Sequence, residues 1–142
     1  MRALLDTSFF AASEPGRPLG KMEGVTETEV SVVTLAEQSV GVLMADGEER
    51  SARLATLSAV ESTWDPLPID AKVARQFAGI VAALRAGRRR VPILDALVPA
   101  TGSVEQIPVV TQDGDTRSSF THLEGDQISV FEPAPVSSRA RS

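Results

Sequence analysis

The sequence predicts an α/β domain in which a parallel sheet is covered on both faces by helices. Two observations predict this class. Short apolar or β-branched runs alternate along the chain with segments of helical periodicity, and no run approaches the ~18 apolar residues that a bilayer span requires. Strands that alternate with amphipathic helices imply parallel pairing, because right-handed crossovers carry each helix over one face of the sheet. The 142 residues suffice for one core of this kind and include no cysteine, which removes disulfides, zinc knuckles and thiol nucleophiles.

Each element follows from local pattern. Residues 3–5 are a short apolar run ending at Asp6 and read as the first buried strand. Residues 11–24 are rich in Gly, Pro and charge and read as loop or a poorly formed helix. Residues 30–33 are β-branched and strand-like. Thr34 then opens a helix with Leu35, Val40 and Leu43 at apolar spacing, and Asp46-Gly47 turns out of it. A second helix over residues 48–62 places Leu54, Leu57 and Val60 on one side. Prolines on both sides of Leu67 make residues 66–69 extended. Asp70 is an N-cap for the strongest helix, where Val73, Phe77, Ile80, Val81 and Leu84 form one stripe and Gly87 is the stop. A further helix begins near Asp95, and residues 107–110 and 127–131 are the last strands. The domain is expected to occupy residues 1–131, with residues 132–142 a disordered tail.

The acids carry the functional signal. In an open parallel sheet, ligands bind at the edge where strands end and helices begin. Asp6 ends the first strand, Glu37 lies in the first turn of the helix after the second, Asp95 opens a later helix, and Asp113 and Asp115 follow the strand at residues 107–110. All five fall at that one edge although they are far apart in sequence. Two carboxylates about 4 Å apart repel by roughly 4 kcal/mol at an effective dielectric of about 20. A cluster of them must take up protons or hold a cation. With no Cys and a single histidine, His122, the available ligands are oxygens, which select Mg²⁺ or Mn²⁺. Each acid also has a second use. Asp6 and Asp95 suit helix N-caps, Thr34-x-x-Glu37 has the spacing of a capping box, and residues 111–115 suit a surface turn.

Taken together, LLDTS at residues 4–8, SVVTLAE at 31–37, LDAL at 94–97 and PVVTQDGD at 108–115 resemble the PIN-domain ribonucleases, in particular the VapC toxins of bacterial toxin–antitoxin pairs. The resemblance implies a PIN-like three-layer sandwich with about five parallel strands and a metal-dependent endoribonuclease. It assigns the metal pocket to Asp6, Glu37, Asp95 and Asp113, with Asp115 as a further or outer ligand and Thr7 and Thr111 as hydroxyls beside the site. It also implies an RNA substrate, a VapB-like antitoxin and a homodimer. Two departures stand out. Pro99 and Gly102 interrupt the stretch after Asp95 where the family is Ala-rich, and Thr116 stands where the family has an aromatic.

The remaining charge completes the picture. A formal net charge of −5 disfavours non-specific coating of nucleic acid, so an RNA-binding surface must be local. Arg85, Arg88, Arg89 and Arg90 form the only concentrated basic run; they serve either as solvated cations at a helix C-terminus or as a grip on RNA phosphates. Aromatic residues make up 4% of the chain, too few for a row of stacked bases, which favours recognition of a loop by shape. His122 reads as a surface residue and Trp64 as packing. The N-terminal MRALLDTSFF carries Asp6 where a secretory signal would be apolar, so the expected compartment is the cytoplasm, with no membrane association. Two competing readings are a receiver-like domain and a catalytically weak PIN-fold module that retains antitoxin binding. A receiver needs a lysine after its last strands, and none follows Lys72.

Overall fold

The computed structural model describes residues 2–12, 25–90, 92–110 and 130–131. Four strands form one sheet: β1 (Arg2–Leu5), β2 (Glu27–Val30), β3 (Val109–Val110) and β4 (Val130–Phe131), in the order β2-β1-β3-β4 with every pair parallel. Five helices surround it: α1 (Thr7–Ala12), α2 (Val32–Met44), α3 (Gly47–Thr63), α4 (Ala71–Ala86) and α5 (Ile93–Glu105). The predicted extended piece at Leu67 pairs in parallel with Ser31, a single bridge that continues the sheet beyond β2. The three-layer α/β architecture is therefore present, with four strands and one bridge among the described residues.

The period of two in β1 sorts the core into layers. Ala3 and Leu5 face one side, with Phe10 of α1, Val60 of α3, Val30 and Val110. Leu4 faces the other side, with Val33, Val98 of α5, Ile107 and Val109. The register Leu4↔Val109 and Leu5↔Val110 keeps both layers continuous across the strands. α4 packs outside α5 through Val73, Ile80 and Leu84 against Ala96 and Ala100.

Several boundaries differ from the sequence expectation, each for a physical reason. The second strand ends at Val30, not at residue 33, because Ser31 is the N-cap of α2 and its hydroxyl accepts from the Val33 N–H at 3.1 Å. The helix therefore starts at Val32, and Glu37 lies in its second turn rather than its first. Thr34 is a fully buried helical residue, so it forms no capping box with Glu37. Val40, Leu43 and Leu54, which give their helices apolar spacing, stand 57%, 73% and 49% exposed. Asp70 does cap α4, accepting from the Val73 N–H at 3.0 Å. Gly87 is the last cap position of α4, but the left-handed residue that turns the chain is Arg88, at φ 57°. The Arg89 N–H donates to the Leu84 carbonyl and the Arg88 N–H to that of Arg85, the paired bonds of a Schellman ending.

α5 begins at Ile93, two residues before Asp95, so Asp95 sits in its first turn and Pro99 lies well inside the helix. Pro99 offers the Asp95 carbonyl no N–H, yet its ring is buried in the layer between sheet and α4. Gly102 has a packing reason. A Cβ there would stand 2.9 Å from Val109 Cγ2 and 3.0 Å from the Ile107 carbonyl oxygen. The strand predicted over residues 107–110 is accordingly short, since Ile107 still closes the α5 terminus by donating to the Gly102 carbonyl. Of the strand expected at 127–131, residues 130–131 are described and form β4; the tail at 132–142 lies outside the described residues.

Replacing Gly102 with Ala forces β3 and α5 apart, and Gly102→Ala should lower the unfolding free energy by about 1–3 kcal/mol, read from urea denaturation.

Candidate functional site

Asp6 leaves the sheet at the carboxyl end of β1, between the neighbours β2 and β3. Its N–H donates to the Val110 carbonyl at 2.9 Å, which pins the residue to the end of β3. Its carboxylate accepts from the Thr7 N–H at 2.8 Å and from the Ser8 hydroxyl at 3.0 Å. The capping use of Asp6 is thus real, and it fixes the side chain in place rather than competing with a role at the edge. Thr7 opens α1, and its hydroxyl oxygen lies 3.4 Å from Thr34 Oγ1, within hydrogen-bond reach, joining α1 to α2.

One turn beyond Thr34, Glu37 is half-buried at the same edge. Its carboxyl pKa is raised above the ordinary value, first by burial, then by the negative charges of Asp6 and Asp95; the Thr7 hydroxyl opposes this by hydrogen-bonding the carboxylate. Glu37 of α2 therefore senses the charges of Asp6, at the end of β1, and of Asp95 in α5. Asp95 enters from the first turn of α5, where the positive end of the helix favours a carboxylate. Asp113, Asp115 and Thr111 lie outside the described residues, as does His122. Among the described residues no group of three Asp, Glu or His side chains stands close enough to hold a metal ion unaided. The donor set nonetheless fits a divalent cation: it consists of hard oxygen ligands, and the repulsion that raises the Glu37 pKa is what such an ion would relieve.

The edge opens into a cavity of about 180 Å³ lined by Thr7, Phe10, Glu37, Gln38, Gly41, Arg53 and Thr56. Arg53 comes from α3 and is held by two bonds, from Nη1 to the Gly41 carbonyl at 3.2 Å and from Nη2 to Glu49 Oε1 at 2.6 Å. Gly41 makes this possible, since a Cβ there would lie 3.1 Å from Nη1. The sequence reading missed Phe10, Gln38, Arg53 and Thr56. The only local hint was Glu49 four residues before Arg53, a spacing that any exposed helical ion pair would show.

The arginine run lies at the end of α4. Arg85, Arg89 and Arg90 line a second cavity of about 480 Å³ with Val81, Leu84 and Ile93, next to the start of α5 and two residues before Asp95. Arg88 is exposed in its left-handed position. The basic run thus occupies the α4–α5 connection, which leads in the chain to Asp95. Trp64 packs, as expected: its ring meets Phe10 edge-on at 5.5 Å, and its N–H donates to the Thr28 carbonyl at 3.0 Å.

The raised pKa of Glu37 has a measurable consequence. Because the folded protein holds this proton more tightly than the unfolded chain, ionised Glu37 destabilises the fold. The penalty is absent below the unfolded value of 4.5 and grows as pH rises through the folded value. In metal-free buffer, Glu37→Gln should raise Tm at pH 7, and the gain should vanish toward pH 4, followed by circular dichroism melts across that range.

Comparison with known proteins places this arrangement. The PIN domain family matches residues 3–120. Ribonuclease VapC4 of Mycobacterium tuberculosis is 41% identical over 114 residues, covering 80% of this chain and 88% of the relative. Ribonuclease VapC5 of the same organism is 41% identical over 123 residues, covering 86% and 87%. The crystal structure of a VapBC-family toxin–antitoxin system, VapBC-5 from Mycobacterium tuberculosis, superposes with a TM-score of 0.76 at 34% identity, over 92% of this chain and 98% of that one. DNA-bound VapBC from Salmonella typhimurium has a TM-score of 0.72 at 20% identity, over 92% and 98%, a likeness of fold alone. Three acids converging at the carboxyl edge of a parallel sheet, and a match across most of the chain to sequences and structures of one kind, lead to one conclusion: the chain belongs to the PIN-domain family and is homologous to its VapC ribonucleases.

Proposed function

We propose that this protein is the toxin of a toxin–antitoxin pair and acts as a metal-dependent endoribonuclease at the edge formed by Asp6, Glu37, Asp95 and Asp113. The observation that carries the reading is the electrostatic coupling of Glu37 to Asp6 and Asp95 across three separate elements. A fold gains nothing in stability from gathering like charges, so their convergence points to a cationic ligand. Its relatives are named ribonucleases, which supplies the reaction class.

Asp6, Asp95 and Asp113, with Asp115 further out, would hold Mg²⁺ or Mn²⁺, which when bound stabilises charge developing on the phosphoryl group and makes water a better nucleophile. The chain's own residues do the rest. Asp6 is held still by Thr7 N–H and Ser8, so it presents its charge in one position. Glu37 binds a proton more firmly than an ordinary carboxylate and is suited to accept one from the attacking water. As the water oxygen bonds to phosphorus, one P–O ester bond breaks and its oxygen takes a proton from solvent. The Thr7 and Thr111 hydroxyls bind phosphate oxygens beside this site, and Arg88, Arg89 and Arg90 hold the RNA backbone near the start of α5.

Partners follow the same reading. Val40, Leu43 and Met44 near the end of α2 and Leu54 on α3 are exposed apolar residues, Met44 to 79%, a surface suited to a VapB-like antitoxin and to homodimer contacts. Action on RNA would put the protein in the cytoplasm; among the described residues no helix is long and apolar enough to cross a membrane. A second reading draws on Pro99, which lies inside α5 four residues after Asp95: a binding module with weak catalysis. Calorimetric titration with Mn²⁺ separates the two, since absence of binding heat supports the second.

Asp6→Asn, Glu37→Gln and Asp95→Asn should each slow cleavage of single-stranded RNA by about 100-fold or more, and EDTA should abolish wild-type cleavage until Mn²⁺ is restored. Wild-type cleavage in excess EDTA, or full activity of Asp6→Asn, contradicts the proposal. Replacing Arg88, Arg89 and Arg90 together by Ala should weaken RNA binding uniformly across sequences. It should also flatten the plot of log K against log salt, by about 0.7 for each phosphate that the variant no longer neutralises. An unchanged slope would show that these cations stay solvated.

A further inference from the structure

The cavity at the end of α4 is cationic on one side and apolar on the other. Arg85, Arg89 and Arg90 line it with Val81, Leu84 and Ile93, and none of the six is acidic. Ile93 is 63% exposed, and Arg85 and Arg90 are exposed too, so the cavity is open to a ligand. The turn that ends α4 builds it. With Arg88 at φ 57°, the Arg88 and Arg89 N–H groups donate back to the Arg85 and Leu84 carbonyls, and the chain folds Arg89 and Arg90 against the last turn of the helix. We propose that this cavity is a remote nucleotide-binding subsite. It takes one nucleotide of the single-stranded RNA other than the two that flank the cut, its phosphate on the arginines and its sugar or base on the apolar wall. The inference rests on the ribonuclease reading and deepens it by naming where a second part of the RNA is held.

Position separates this subsite from the acids. Successive residues of an α-helix turn by about 100°, so Ile93 and Asp95, two positions apart, face nearly opposite sides of α5. Packing agrees. Ala96 and Ala100, three and seven residues after Ile93, pack with Val73, Ile80 and Leu84 of α4. Val98, three residues after Asp95, shares the sheet-side layer with Leu4 and Val109. The cavity therefore opens on the α4 side of α5 and Asp95 on the sheet side, with the body of the helix between them. A helix with its side chains is roughly 10 Å across, which one phosphate group does not bridge. The chemistry selects the ligand. Guanidiniums offer only donors and positive charge, so the polar end of the ligand is an anion, and a phosphate meets a guanidinium through two parallel bonds. Cations that merely complement a helix dipole need no apolar neighbours, and a bare phosphate would leave Val81, Leu84 and Ile93 unused. A nucleotide answers both halves. The volume of about 480 Å³ is that of a pocket enclosing a small organic ligand. An RNA that reaches Asp95 already passes the start of α5, so the same strand meets the cavity and no further partner is needed.

The test is a nested set of single-stranded RNAs that share the mapped cut and are shortened from either end by one nucleotide at a time. The full chain cleaves them in Mn²⁺ as wild type, as Arg85→Ala/Arg90→Ala, and as Lys72→Ala/Arg75→Ala, which removes the same charge from α4 outside the cavity. Both pairs are exposed, so both variants should melt near the wild-type Tm. Wild type should lose tenfold or more in kcat/KM, mostly through KM, at one truncation beyond the nucleotides that flank the cut. Arg85→Ala/Arg90→Ala should cut the longest RNA only as well as wild type cuts the shortened one, and should ignore that truncation. Lys72→Ala/Arg75→Ala should keep the step. No such step in wild type, or the same step in all three proteins, overturns the subsite and leaves the ribonuclease reading intact. Equal loss of the step in both variants also overturns it, because net charge then explains the binding. A second readout needs no cleavage. In metal-free buffer the Nε–H resonances of Arg85 and Arg90 should shift with a ribonucleoside 5′-monophosphate at a tenfold lower concentration than with inorganic phosphate. An equal response to inorganic phosphate, or a stronger one to a glutamate-rich peptide, overturns the subsite. Nucleotide shifts without any RNA cleavage uphold nucleotide binding here and overturn the nuclease.

Discussion

The structure depends on parallel pairing around β1. A parallel strand requires its neighbours to run the same way, so each carboxyl end leaves the sheet at one edge and the chain returns by a helix. β1 lies between β2 and β3, and Asp6 at its end is tied by its N–H to the last carbonyl of β3. α2 and α5 then begin near that edge, bringing Glu37 and Asp95 with them. The arrangement concentrates negative charge where the fold gains nothing from it, and the raised pKa of Glu37 is the physical trace of that concentration. The far edge shows the opposite design: Arg2 pairs with Glu29 at 3.0 Å and reaches Glu105 at 3.8 Å, balancing charge at the amino end of the strands.

Helix starts control the site more finely than strand order does. Ser31 caps α2 three residues before Thr34, which turns Thr34 into a buried contact for Thr7 and frees Glu37 from any capping duty. Asp6 keeps its capping duty and is immobilised by it. Two acids that look alike on the page thus differ: one is hydrogen-bonded by its own loop, the other is half-buried and proton-retaining. That difference suits one to a fixed charge and the other to proton transfer. The α2–α3 hairpin adds a cation to the cavity, because Gly41 lets the Arg53 guanidinium lie against the α2 backbone.

The fold class, the order of the elements after α1 and the sheet edge that Asp6 and Glu37 share were legible in sequence, since all three rest on local periodicity and on the handedness of crossovers. Asp70 as a cap was legible because a cap bonds within its own turn. The boundaries around residue 31 were not. Val32 and Val33 have strand-like side chains, but the single bridge from Ser31 to Leu67, thirty-six residues on, lets the chain leave the sheet there and enter a helix. Apolar spacing also left open the exposure of Val40, Leu43 and Leu54, because periodicity marks an apolar face without saying whether the same chain covers it.

What the sequence by itself determined was therefore everything governed by neighbours in the chain: alternation of strand and helix, the Asp70 cap, the acids at segment ends, and the resemblance that four ordered motifs carry. Only the tertiary structure decided that Glu37 senses Asp6 and Asp95, that Gly102 serves a close approach of α5 to β3, and that Arg53 reaches across to the Gly41 carbonyl. Those outcomes depend on distances between elements remote in sequence, and such distances are set by how whole layers pack, which no local pattern encodes.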